Sequence, residues 1–102
     1  MNIQAMMKQA QQLQKNMVEE KKKIDEMEFE GKSSFVTVVV NGTKKVKKIT
    51  IDNESLDKDE IEILEDIIQV AMNEALDKVD KETEKRLGKY TQGMPGIPKA
   101  IA

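Results

Sequence analysis

The chain has no cysteine, no histidine and no tryptophan, and only two prolines, two phenylalanines and one tyrosine among its 102 residues. Each absence removes a class of explanation. Without cysteine there is no disulfide framework and no thiolate chemistry, which fits a reducing cytosol. Without histidine the usual general base near neutral pH is missing too. Scarce aromatics mean that burial must rest on Ile, Leu, Val and seven Met, and they leave no interleaved platform for stacking single-stranded bases. No apolar run approaches the roughly 18 residues of a membrane span, and the first residues lack a signal peptide's apolar stretch. A mature, cytoplasmic protein without a membrane partner is expected.

What is present fits a small single-domain globule, with 38% hydrophobic and 35% charged residues. A core built from so few large side chains is thin, so such a chain gains from pairing with a second copy. The net charge of −2 argues against a polycation that coats DNA by bulk attraction. The charge is, however, unevenly placed. Residues 1–18 hold Lys8 and Lys15 and no acid, whereas 52–66 hold Asp52, Glu54, Asp57, Asp59, Glu60, Glu62, Glu65 and Asp66 against the single Lys58.

From Asn2 to about Asp25 the apolar residues Ile3, Met6, Ala10, Leu13, Met17 and Ile24 recur in steps of three and four, broken by Glu20. This is a heptad-like helical stripe. At about 100° per residue, Gln4, Lys8, Gln11 and Lys15 fall on nearly the opposite face. Met27 to Gly31 alternates as a short strand, with a turn at Gly31 to Ser34. Phe35 to Val40 reads as a second strand and Val46 to Ile51 as a third, joined by Asn41-Gly42 in a type I′ turn. Strand alternation puts Val36, Val38, Val40, Ile49 and Ile51 on one face and Phe35, Val39 and Val46 on the other. Two apolar faces require two covers, the chain's own helices and a second subunit.

Asp57, with Glu60 three residues later, reads as a variant capping box that opens a second helix. Ile61, Leu64, Ile68, Ala71, Ala75 and Val79 carry it to about Leu87, where Gly88 suits a C-cap. The expected fold is α+β: a long N-terminal helix, a three-stranded antiparallel meander and a long C-terminal helix, forming one domain over 1–88. The stretch GKYTQGMPGIPKAIA has Gly and Pro at spacings that oppose regular structure, so 89–102 is expected to be a flexible tail. A helix of about 30 residues spans roughly 45 Å, longer than the roughly 33 Å diameter of a compact domain whose radius of gyration is near 13 Å. Its ends must overhang as arms.

At this point the chain resembles a known family. The MMKQAQQLQK helix, MEFEGKSS, the VVVNGTKKVKKITID hairpin, the acidic start of the long helix and the KRLGKYTQGMPGIP tail together are similar to the YbaB/EbfC family of small bacterial nucleoid-associated proteins, over essentially the whole chain. The resemblance implies a helix, three-stranded sheet, helix fold, a homodimer shaped like tweezers, and DNA binding by its helical projections, hence a nucleoid location. It offers no catalytic motif.

The candidate DNA-contacting residues are Gln4, Lys8, Gln11, Gln12 and Lys15 on the first helix, with lysines neutralising phosphates and glutamines able to bond adenine edges. Lys85, Arg86 and Lys89 form a second group, since no acid follows Glu84 in that segment. The lysines of TKKVKK either clamp phosphate or guard the VTVVV strand against edge-to-edge pairing, and the guarding role is the simpler reading. A calcium loop beginning at Asp52 is refused by spacing, because Leu56 stands at a ligand position and Asp57 where glycine is needed. No Gly-rich phosphate loop precedes a helix, no carboxylate pair stands out, and no cofactor or small-molecule substrate is expected. The reading is a non-enzymatic homodimer that binds duplex DNA through helical arms. A rival is a protein-binding adaptor that docks a partner on the heptad-like helix.

Overall fold

The computed structural model describes residues 2–54 and 56–91. The elements run α1 (Ile3–Glu26), β1 (Glu28–Ser33), β2 (Val36–Asn41), β3 (Val46–Ile51) and α2 (Lys58–Thr91). Two long helices thus flank an antiparallel sheet in the order β1-β2-β3, the α+β arrangement expected. Asn2 opens α1: its Oδ1 accepts from the amides of Gln4 at 3.0 Å and Ala5 at 3.3 Å, two of the donors a helix start leaves unpaired. Asp57 does the same for α2, accepting from the Glu60 amide at 2.9 Å.

Three local expectations are corrected. Gly31 is no turn residue; it sits inside β1 opposite Val38, and the turn falls at Ser34, whose φ is 50°. A side chain at 31 would collide with α2, because a Cβ there would lie 1.9 Å from the Ala71 carbonyl oxygen. The second hairpin is not a type I′ turn on Asn41-Gly42. The Lys44 amide bonds the Asn41 carbonyl at 2.9 Å, the Asn41 amide bonds the Lys45 carbonyl at 2.9 Å, and the positive φ of 67° belongs to Lys44. That is a three-residue loop, held by Asn41 Oδ1 accepting from the Thr43 and Lys45 amides. Gly42 serves closeness instead: a Cβ would lie 1.8 Å from the Ile24 carbonyl oxygen. Gly88, finally, is interior to α2, which continues to Thr91. The stretch expected to be irregular is therefore helical in its first four positions, and residues 92–102 lie outside the described ones.

The face assignment changes as well. Val36, Val38 and Val40 do share a face with Ile51 and Ile49, but a register shift between Val39 and Val40 sets Val46 opposite Val40. Val46 joins that same face. The reverse face then carries Glu28, Glu30, Lys32, Thr37, Val39, Lys48 and Thr50, and is polar. The sheet has one apolar face rather than two, because a bulge adds one residue and inverts the alternation beyond it.

That single face is only partly covered. α2 lies over β1 and β2 and does not reach β3. Phe29, Val36, Val38, Val40, Ala71, Ala75 and Val79 form the core, with Leu64, Ile68 and Met72 packed around it. Small residues at 31, 71 and 75 let the α2 backbone approach β1 closely. On β3, by contrast, Val46, Ile49 and Ile51 remain 45%, 44% and 40% exposed, although they belong to the face whose β2 members are fully buried.

Candidate nucleic-acid interface

Two links fix how α1 and α2 run past each other. Arg86 Nη1 donates to Glu20 Oε1 at 2.8 Å, and Lys44, in the hairpin loop whose Gly42 lies against the Ile24 carbonyl, pairs with Asp80 at 2.8 Å. Moving up α1 from Glu20 to Ile24 therefore means moving down α2 from 86 to 80, so the helices are antiparallel. The first half of α1 consequently runs out beyond the end of α2. Residues Ile3 to Lys15 are all exposed, and the only buried residue of the helix is Ile24, near its base. The 34 residues of α2 span about 50 Å and the free half of α1 adds about 20 Å. Together these account for a long axis of 71 Å and a radius of gyration of 19.3 Å, well above a compact chain of this length.

The sequence candidates fall into two groups. Gln4, Lys8, Gln11, Gln12 and Lys15 lie together on the projecting half of α1, all exposed. Lys8 and Lys15 take part in none of the ion pairs among the described residues, and the first acid on the helix is Glu19. Gln12 donates to Asn16 Oδ1 at 3.0 Å. Gln4, Lys8 and Gln11, with Asn2, Ala5 and Met7, edge a shallow open hollow on the helix surface. Lys85, Arg86 and Lys89 stand at the end of α2, beside the base of the arm. Lys85 is exposed, and Lys89 lies over the Tyr90 ring, 5.1 Å from its centroid.

Arg86 differs from its neighbours. Its Nε donates to Glu82 Oε1 at 2.5 Å while Nη1 reaches Glu20, so one guanidinium ties α2 to α1. The bond to Arg86 holds the Glu20 carboxyl below the usual carboxylate range, and bonding to Glu82 and then Glu20 raises Arg86 further. Glu20 is the residue that interrupts the apolar stripe of α1. A carboxylate at a packing position signals a cation on the facing element, a clue from which the pairing could have been read. Elsewhere the hairpin tip is tied down by Lys44 and Asp80 at 2.8 Å, while Lys45 just before β3 and Lys47 and Lys48 on it, an edge strand, stay exposed.

The charge separates end to end. The acid-free arm is at one extreme, and the start of α2, with Asp59 and Glu60 in its first turn, is at the other. Among the described residues no group of His, Cys, Asp and Glu is placed to hold a metal, and no helix is long and apolar enough to cross a membrane.

Fold and surface together define an elongated α+β protein whose distinctive chemistry is carried on a projecting helix. More narrowly, the chain belongs to the YbaB/EbfC DNA-binding family, whose profile matches residues 1–94. It is 40% identical to a "Nucleoid-associated protein" of Ligilactobacillus salivarius, over 95% of this chain and 95% of that one. It is 41% identical to a protein of the same name from Enterococcus faecalis, over 94% of each, and 43% identical to another from Pediococcus pentosaceus, again over 94% of each. The family is described as one of DNA-binding proteins.

Proposed function

We propose that this chain is a nucleoid-associated protein of the cytoplasm that acts as a homodimer and holds duplex DNA with its projecting helices. The observation that carries the reading is the free half of α1, where Lys8 and Lys15 stand exposed on a segment with no acid. Lysines there neutralise phosphates, and Gln4 and Gln11 are long enough to reach base edges if the helix lies in a major groove. Lys85 and Lys89 extend the cationic surface around the base of the arm. Arg86, already bonded to two carboxylates, serves chiefly to hold the arm in place. The acidic end repels the duplex, so contact is confined to one end of the molecule.

The dimer rests on the uncovered third of the sheet. Val46, Ile49 and Ile51 form a strip continuous with the core, and burying it against a second copy removes apolar area from water at about 25 cal/mol per Å². A two-fold axis at β3 duplicates the arms and gives a two-pronged shape.

The test is titration of duplex DNA with wild type and with Lys8→Glu combined with Lys15→Glu, alongside sedimentation of both. The expected result is a salt-sensitive complex for wild type and at least tenfold weaker binding for the double variant, with both remaining dimers. Unchanged affinity in an intact dimer would remove α1 from the DNA surface. The second reading, an adaptor that docks a partner helix, is favoured by the exposed Ile3, Met6 and Leu13. It takes over if wild type binds no duplex at low salt.

A further inference from the structure

Three consecutive lysines, Lys21, Lys22 and Lys23, stand near the base of α1, and the structure separates them. Lys21 pairs with Asp25 one turn on, and Lys23 adds its charge to that of Arg86 at the Glu20 carboxylate. Lys22 is exposed and takes part in none of the ion pairs among the described residues. At about 100° per residue it stands about 160° round the helix from both Glu20, which meets α2, and the buried Ile24. It therefore projects away from the body of the protein.

Its position along the helix matters as much. Lys8, Lys15 and Lys22 recur at intervals of seven, over which an α-helix drifts by only about 20°. The three form one row with steps of about 10.5 Å and a length of about 21 Å. Four residues before each lysine, a parallel row holds Gln4, Gln11 and Val18, all exposed. Glu19 and Glu26 flank the lysines on one side but pair with no lysine among the described residues. Over 21 Å of its axis a duplex carries about 12 phosphates, enough to supply every member of a row laid against it.

We propose that Lys22 is the third phosphate contact of α1, so that the DNA surface runs past the free arm onto the base of the helix. This rests on the reading of α1 as the element that holds DNA. At the first two steps of the row a glutamine stands beside the lysine, and at the third a valine does. Lys22 therefore grips backbone without a base-reading companion, and its contribution is the same on every sequence. The row ends there for a physical reason. The next position in the series is Phe29, buried on β1, and Asp25 and Glu26 close the helix with acids.

The test compares Lys22→Ala with Lys21→Ala and Lys23→Ala, each of which removes one positive charge, in salt titrations against an A·T-rich and a G·C-rich duplex. Lys22→Ala is expected to weaken binding several-fold at low salt. It should lower the slope of log affinity against log salt by about 0.9 per engaged arm on both duplexes. Lys22→Arg should restore the slope, and the two neighbours should change it by less than half as much. Equal effects of all three variants would reduce the result to bulk charge and overturn the proposal, as would an unchanged slope for Lys22→Ala or an effect confined to one duplex. Circular dichroism and sedimentation are expected to match wild type, since Lys22 touches neither α2 nor the sheet. Lys8→Ala, run alongside, separates the two levels of the argument. A lower slope for Lys8→Ala with none for Lys22→Ala removes the third contact and leaves the arm on DNA, whereas no change in either removes both.

Discussion

At the residue scale, two glycines and two lysines carry most of the consequences. Gly31 and Gly42 are needed for space: at each, an added methyl would overlap backbone, the Ala71 carbonyl in one case and the Ile24 carbonyl in the other. Backbone cannot swing aside as a side chain can, so Gly31→Ala and Gly42→Ala are each expected to destabilise the fold by about 3 kcal/mol, the upper part of the range for overpacking. Urea unfolding checks this as a lower midpoint with an unchanged slope. Neither requirement was legible in the sequence. Glycine beside Ser33 and Ser34, or after Asn41, reads as a turn, and nothing local announces a helix crossing overhead. The exposure of Lys8 and Lys15 on an acid-free segment was legible, because an acid-free stretch in a chain rich in acids is visible without coordinates. If each meets a phosphate, replacing either with Ala lowers the slope of log affinity against log salt by about 0.9 per engaged arm. A salt titration of binding measures that slope.

At the scale of elements, the antiparallel contact of α1 with α2 includes one guanidinium shared between Glu20 and Glu82. Because the Glu20 carboxyl sits below its ordinary range when bonded to Arg86, the contact contributes stability that is fully present above about pH 5. It is lost as the pH falls through the depressed value, below the ordinary value of about 4.3. Arg86, raised further, stays charged throughout and adds no pH dependence of its own. Acidification of wild type is therefore expected to loosen the base of α1 before the sheet gives way. Glu20→Gln should show the looser base already at pH 7 with that acid step gone, and amide exchange of residues 16–24 between pH 3 and 7 reads both. The extents of α1 and β3 and the start of α2 followed well from periodicity and capping residues, whereas the end of α2 did not, because Gly88 reads as a cap and lies inside the helix. The register of β2 with β3 did not, since the bulge depends on the loop geometry at Asn41 to Lys45 and not on any preference of Lys47. One inserted residue moved Val46 to the other face and reduced two apolar faces to one.

At the scale of the whole molecule, the expected overhang is present, and the proposed pairing rests on a different surface from the one the sequence suggested. A second cover is still called for, but on the exposed third of the helix-covered face rather than on the reverse side. Ile49→Asp is the sharpest probe, because it puts a charge on the strip without touching the buried valines of β2. The expected outcome in sedimentation is a monomer at concentrations where wild type pairs, with near-native helix content by circular dichroism. A dimer of wild-type strength would move the pairing surface elsewhere. The close seat of α2 on β1 has a mechanical corollary. Where Ala71 and Ala75 rest on Gly31 the contact acts as a fulcrum, and Ile3 at the far tip lies roughly 40 Å away along the two helices. Tilting that seat by about 5° swings the tip by roughly 3.5 Å over such a lever, so the aim of the arm is calibrated by the girth of three of the smallest residues in the protein.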